Sequence, residues 1–219
     1  MFAKTIDPSE LDTLPQASFP GEIVVVDKPG PVLDAAVKYL RTRKVIGFDT
    51  ESRPSFSSNQ PHYGVSLLQL SGAEKAFLFR IKKMGLDPRL ASLMANPAVV
   101  KVGAAVHDDL KGLAKYQPFE PKGFVDLQKI GSEYGIAEKS VKKMAAIILG
   151  VRISKTQQLS NWEAPLLSEA QRKYAATDAW ICRQMYKKLS SSEMSPLPED
   201  ELHPEQKKLR NVKSHTKKR

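Results

Sequence analysis

Residues 44–51 read KVIGFDTE, residues 65–70 read VSLLQL, and after a Ser71-Gly72 turn residues 75–81 read KAFLFRI. Each run is a short strand-like segment, which predicts three strands. Links this short suit antiparallel neighbours. Upstream, residues 22–27 (EIVVVD) form another β-branched run, ended by Pro29-Gly30-Pro31. Downstream, residues 98–105 (AVVKVGAA) are almost continuously apolar, as expected of a strand covered on both faces, and residues 123–127 (GFVDL) read as a further short strand. Helical spacing of apolar residues predicts helices over 32–41, 87–94, 107–115, 128–134, 140–149 and 168–189. Pro88 suits the first turn of the second of these. The order is that of an α/β protein with a mixed five- or six-stranded sheet flanked by helices.

The chain has 219 residues, of which 41% are hydrophobic, enough for one substantial core. No run reaches the roughly 18 apolar residues of a membrane span. Residues 1–14 (MFAKTIDPSELDTL) lack the apolar stretch of a secretory signal. The expected location is therefore cytoplasmic or nucleoid-associated, with no membrane partner. The one cysteine, Cys182, has no internal disulfide partner and reads as a small buried side chain in an apolar-periodic helix. The net charge of +10 favours polyanionic partners, nucleic acid or an acidic surface. Residues 206–219 (QKKLRNVKSHTKKR) hold seven Lys or Arg and no acid, so the rest of the chain carries +3 (ten minus seven). Residues 1–20 mix Pro, Ser and acids without periodicity and are expected to form a flexible N-terminal arm. Residues 190–219 are rich in polar residues and proline and are expected to be a disordered basic tail. The folded domain is expected over residues 21–189.

Three acidic motifs stand out. In GFDTES, residues 47–52, Asp49 and Glu51 are two apart on a strand and leave the same face. Two adjacent carboxylates ionise together comfortably only near a cation, and hard oxygen ligands suit Mg²⁺ or Mn²⁺. A strand ending in water would accommodate them too. In VHDDLKGL, residues 106–113, Asp108 and Asp109 lie where a buried strand hands over to a helix. Capping and the helix dipole favour acids there; alternatively, one of them turns back toward the first pair. In KYAATDAW, residues 173–180, Tyr174 and Asp178 are i and i+4 and share a helical face. A mid-helix Asp costs helix propensity, and the tyrosine one turn earlier can offer its phenol to a water or phosphate. A buried tyrosine beside a solvated acid also fits. Together the motifs place four carboxylates where one sheet edge can gather them, and two divalent ions would make that gathering a phosphoryl-transfer site. There is no GxGxxG after a strand, no GxxxxGK[ST], no HExxH and no paired CxxC. His62, His107, His203 and His215 show no metal-ligand spacing.

VIGFDTE, KVGAAVHDDL and the segment SNWEAPLLSEAQRKYAATDAW (residues 160–180) follow one another in an order that resembles the ribonuclease D and Werner-syndrome-type 3′-5′ exonucleases. These form the four-carboxylate, tyrosine-containing class on a ribonuclease-H-like fold, and the resemblance spans roughly residues 22–189. Register from Gly103 aligns the second-motif aspartate with Asp109, with Asp108 as the adjacent alternative. The resemblance implies that Asp49 bridges two Mg²⁺ or Mn²⁺ ions. Glu51 and Asp178 would complete the site of the ion that binds the attacking water, and Asp109 would support the second. Tyr174 would orient that water. It further implies hydrolysis at the single-stranded 3′ end of DNA and/or RNA, releasing nucleoside 5′-monophosphates. The third segment is similar to that of the Werner-type relatives, which leans toward DNA or both.

The family often has Trp after the Glu of its first motif, whereas Ser52-Arg53-Pro54 stand here, so contacts to the terminal nucleotide are expected to differ. Arg53, Phe56, His62 and Lys155 are the candidate substrate contacts, although surface solvation would also explain them. Trp162 fits core packing. No accessory helical domain is expected after the nuclease domain. Two other readings fit parts of the pattern: a metal-dependent phosphatase or nucleotidase on another α/β fold, and a catalytically weak nucleic-acid-binding protein on a nuclease fold. Oligomeric state leaves no mark in the sequence.

Overall fold

The structure, a computed structural model, describes residues 1–57 and 63–198. Its elements are α1 (Pro8–Leu11), β1 (Glu22–Val26), α2 (Pro31–Arg41), β2 (Val45–Ser52), β3 (Val65–Ser71), β4 (Lys75–Phe79), α3 (Ile81–Met84), α4 (Pro88–Met94), β5 (Val100–Gly103), α5 (Val106–Ala114), β6 (Phe124–Asp126), α6 (Leu127–Ile130), α7 (Val141–Leu149) and α8 (Glu169–Ser190), with a 3₁₀ turn at Gly131–Tyr134. The six strands lie in the order β1-β4-β3-β2-β5-β6. β3 pairs antiparallel with both β2 and β4, while β1 with β4, β2 with β5, and β5 with β6 are parallel. The expected mixed α/β sheet is therefore present, with six strands. Among the described residues no helix is long and apolar enough to cross a membrane.

Alternation along β2 divides the two faces of the sheet. Ile46 and Phe48 point into a core shared with Leu33 and Leu40 of α2, Leu90 and Leu93 of α4 and Leu113 of α5. Gly47, Asp49 and Glu51 point the other way, toward α8. A Cβ on Gly47 would stand 1.7 Å from the Ala179 carbonyl oxygen, so only glycine lets α8 lie this close to the central strand. On the same side, α7 and α8 close a second apolar cluster around Val102, Met144, Ile148, Ile181 and Met185. α8 begins with a capping box in which Ser168 Oγ accepts from Gln171 N at 3.1 Å and Gln171 Oε1 accepts from Ser168 N at 3.0 Å. That fixed start sets the rotation of the helix and so the direction of Tyr174 and Asp178.

Residues 1–20, expected as a flexible arm, pack against the domain at several points. Gln16 bridges to Arg152, with Ala17 N donating to Arg152 O at 2.8 Å and Arg152 N to Pro15 O at 3.0 Å. Phe19 is fully buried and its N–H donates to Thr177 Oγ1 at 2.9 Å. Leu11 is buried, and Phe2 meets Tyr134 edge-on at 6.4 Å. Isolated anchors of this kind carry no periodicity, which is why the sequence concealed them. At the other end, Ser195 N donates to Glu133 O and Leu197 N to Ser132 O, so the first residues after α8 run along the 3₁₀ turn. The basic residues 206–219 lie outside the described residues, as does His62.

Candidate active site

Asp49 and Glu51 leave β2 on the α8 face, and Asp178 projects from α8 toward them. One carboxylate oxygen from each of the three lies within 4.8 Å of the others. The ladder to β3 shifts register between Glu51 and Ser52, so the strand bends away directly after the two acids. Tyr174, one helical turn before Asp178, lines the same cleft beside that carboxylate. Behind Tyr174 packs the fully buried Trp162, with ring centroids 5.9 Å apart. The expectation of Trp162 as a core residue thus agrees with its place.

Asp109 takes a different position. Ala105 adopts a left-handed conformation (φ 55°), its N–H donating to Asp126 Oδ1 at 3.1 Å, and this corner aims the first turn of α5 back toward β2. Asp109 Oδ1 accepts from Thr50 Oγ1 at 2.6 Å. Thr50 alternates with Asp49 and Glu51, so Asp109 stands beside the three-carboxylate group and outside it. The Asp108 side chain is 91% exposed and lies 3.7 Å from Lys111 Nζ. Of the two candidate aspartates, Asp109 therefore faces β2 and Asp108 faces solvent. His107 is exposed.

The acids floor a cleft of about 450 Å³. Its other walls carry Gln128 of α6, Lys139, Ser140 and Lys142 at the start of α7, and Ser154, Lys155 and Gln158 from the segment before α8. Among the described residues neither Lys142 nor Lys155 forms an ion pair. Lys139 donates through Nζ to Gln128 O. Lys139, Lys142, Gln128 and Gln158 escaped sequence reading, because only the folded chain brings them opposite the acids. Lys155, predicted as a substrate contact, does line the cleft. Arg53 does not: its guanidinium stacks 4.8 Å from the Tyr63 ring centre and lies 3.8 Å from Glu163. Phe56 lies on the exposed loop after β2, 71% accessible.

The electrostatics of the floor are those of charges short of a counter-ion. Burial, then the charges of Asp178 and Asp109, push Asp49 well above the usual carboxylate range. Glu51 is pushed up to about 10 by burial and by Asp49, Asp178 and Asp109. Burial also raises Asp178, opposed by the Tyr174 hydrogen bond and the nearby Lys155. Asp109 is pushed up to about 6, chiefly by burial, against the Thr50 hydrogen bond. The Tyr174 phenol is held protonated by burial and by the carboxylates around it. Cys182 lines the same cleft, where burial and the Asp49 and Asp178 charges push its thiol up, so it is no thiolate nucleophile. A hard divalent cation would reverse these shifts for the acids, and the all-oxygen donor set fits Mg²⁺ or Mn²⁺.

Residues 31–192 match the family described as 3′-5′ exonuclease. The chain is 30% identical over 190 residues to the bifunctional 3′-5′ exonuclease/ATP-dependent helicase WRN of Mus musculus, covering 82% of this chain and 13% of that protein. It is 33% identical over 162 residues to exonuclease 3′-5′ domain-containing protein 2 of Drosophila melanogaster, covering 72% of this chain and 27% of that protein. The crystal structure of Escherichia coli RNase D, described as an exoribonuclease involved in structured RNA processing, superposes with a TM-score of 0.67 at 22% identity, over 78% of this chain and 44% of that one. This last likeness is one of fold. The chain spans less than a third of the length of the two curated relatives.

Proposed function

Since the chain belongs to the 3′-5′ exonuclease family, we propose that it removes nucleotides one at a time from the 3′ end of single-stranded DNA and/or RNA, releasing nucleoside 5′-monophosphates. The observation that carries this reading is the meeting of Asp49, Glu51 and Asp178 at one point on the floor of a lysine-walled cleft. Asp49, Glu51 and Asp178 would hold two Mg²⁺ or Mn²⁺ ions, with Asp109 contributing its charge from its place on Thr50. When bound, the ions lower the proton affinity of the attacking water and offset charge on the scissile phosphate. Tyr174, protonated among the carboxylates, would present its hydroxyl beside the acids and orient the nucleophile. Lys139, Lys142 and Lys155 hold the phosphates of the entering strand against the opposite wall. A cleft of about 450 Å³ has room for the terminal nucleotides of a single strand.

The test uses 5′-labelled single-stranded DNA, single-stranded RNA and a 3′-recessed duplex, with Mg²⁺, Mn²⁺ or EDTA. A ladder shortening from the 3′ end is expected with either metal, and no shortening in EDTA or with Asp49→Ala. A labelled mononucleotide as the first product would contradict the polarity, and shortening that survives EDTA would contradict the metal.

A further inference from the structure

β3 is buried along its whole length, and three of its residues are polar with no exposure: Ser66, Gln69 and Ser71. Ser71 Oγ donates to Gly72 O at 3.0 Å, and Ser66 Oγ reaches Gly64 O and Glu163 Oε1, each at 3.4 Å. Gln69 differs. Among the described residues neither its Oε1 nor its Nε2 has a hydrogen-bond partner. An enclosed amide with both ends unpaired is unfavourable, and Leu or Met would occupy a similar volume without that cost. A buried amide at this place calls for a partner that the surrounding core does not supply.

Its position shows which group that is. Gln69 stands directly opposite Asp49 in the β2–β3 ladder. Residues so paired leave the same face, with Cβ atoms about 5 Å apart. On its other side Gln69 stands opposite Leu78 of β4, which offers nothing polar. Two residues before it, Leu67 packs with Trp162 and Ala175 under α8. Two residues after it, the Ser71 hydroxyl is already engaged. Thr177, the buried hydroxyl of the covering helix, is held by Lys173 O and Phe19 N. Across the ladder, on the same face, the Asp49 carboxylate is an acceptor.

We propose that Gln69 is a positioning residue for Asp49, its Nε2–H group donating to the ionised carboxylate, directly or through one enclosed water, and fixing how that carboxylate is turned toward a bound cation. The proposal rests on the reading of Asp49 as a metal ligand. A neutral donor suits the place, because it orients the ligand without competing with the cation, as outer partners of metal-binding side chains do.

The test compares Gln69→Leu and Gln69→Met with the wild-type full chain, two apolar replacements of different shape. Three quantities are read: Tm in EDTA, Mn²⁺ affinity by electron paramagnetic resonance, and kcat and KM on a single-stranded oligonucleotide. The expected result is a Tm in EDTA at or above the wild-type value, Mn²⁺ binding weaker by about tenfold or more, and a fall in kcat with KM unchanged. Unaltered Mn²⁺ affinity in folded variants would overturn this proposal alone, and so would loss of folding in both, which would assign the amide to the core. A wild-type protein that binds no Mn²⁺ would overturn the metal reading and this proposal with it.

Discussion

Glu51 shows most clearly what the site lacks when empty of cations. With its proton affinity raised from an ordinary 4.5 to about 10, the folded protein holds a proton that the unfolded chain releases across that window. Stability in EDTA therefore falls as pH rises between those values, because the folded state binds more protons than the unfolded one. Thermal melts in EDTA should give a lower Tm at pH 8.5 than at pH 6. Mg²⁺ should raise Tm more at the higher pH, and Glu51→Gln should flatten the profile. An identical profile for wild type and Glu51→Gln would refute the assignment. On the proposed reading Tyr174 would bear on the reaction and not on metal affinity, since its phenol stays protonated beside Asp178. Tyr174→Phe should lower kcat by about a hundredfold while Mn²⁺ affinity measured by titration stays near wild type. A matching loss of metal affinity would move Tyr174 from orienting water to holding Asp178 in place.

Two elements make the site: β2 and α8. Their closeness depends on Gly47, where an added Cβ would stand 1.7 Å from the Ala179 carbonyl oxygen. Neither backbone can yield without moving Asp49 away from Asp178. Gly47→Ala should cost about 3 kcal/mol or more, read as a lower urea midpoint; a midpoint within error of wild type would mean that the helix slides freely on the strand. These elements were also the most legible in the sequence. KVIGFDTE reads as a strand, and residues 168–189 show a long helical period. What stayed hidden has a common physical cause. The parallel pairing of β1 with β4 joins strands separated by three other elements, and no local signal encodes it. The arm of residues 1–20 binds through single backbone hydrogen bonds and the lone anchors Leu11 and Phe19, which leave no period to read. The hydrogen bond from Thr50 to Asp109 joins adjacent motifs whose spacing gave no hint of it.

At the scale of the molecule, the fold solves one problem of placement. Acids 129 residues apart in number, Asp49 and Asp178, meet because a strand at the middle of the sheet and a late helix are packed against each other. The acidic motifs and their order were readable from the chain; that Asp109 would stand aside on Thr50, and that Lys139 and Lys142 would wall the cleft, was not, because both depend on how α5 and α7 meet the sheet. The arrangement also separates charge: a carboxylate floor against a lysine wall, in a chain of net charge +10. On the proposed reading, such a cleft would draw a phosphate backbone along one side and hard cations to the other. The cation is the more direct witness. Anomalous diffraction from crystals soaked in Mn²⁺ should give a peak within about 2.5 Å of carboxylate oxygens of Asp49, Glu51 and Asp178, lost in Asp178→Asn. Saturating Mn²⁺ that leaves no peak among these three side chains, with ions found only on the outer surface, would contradict the account.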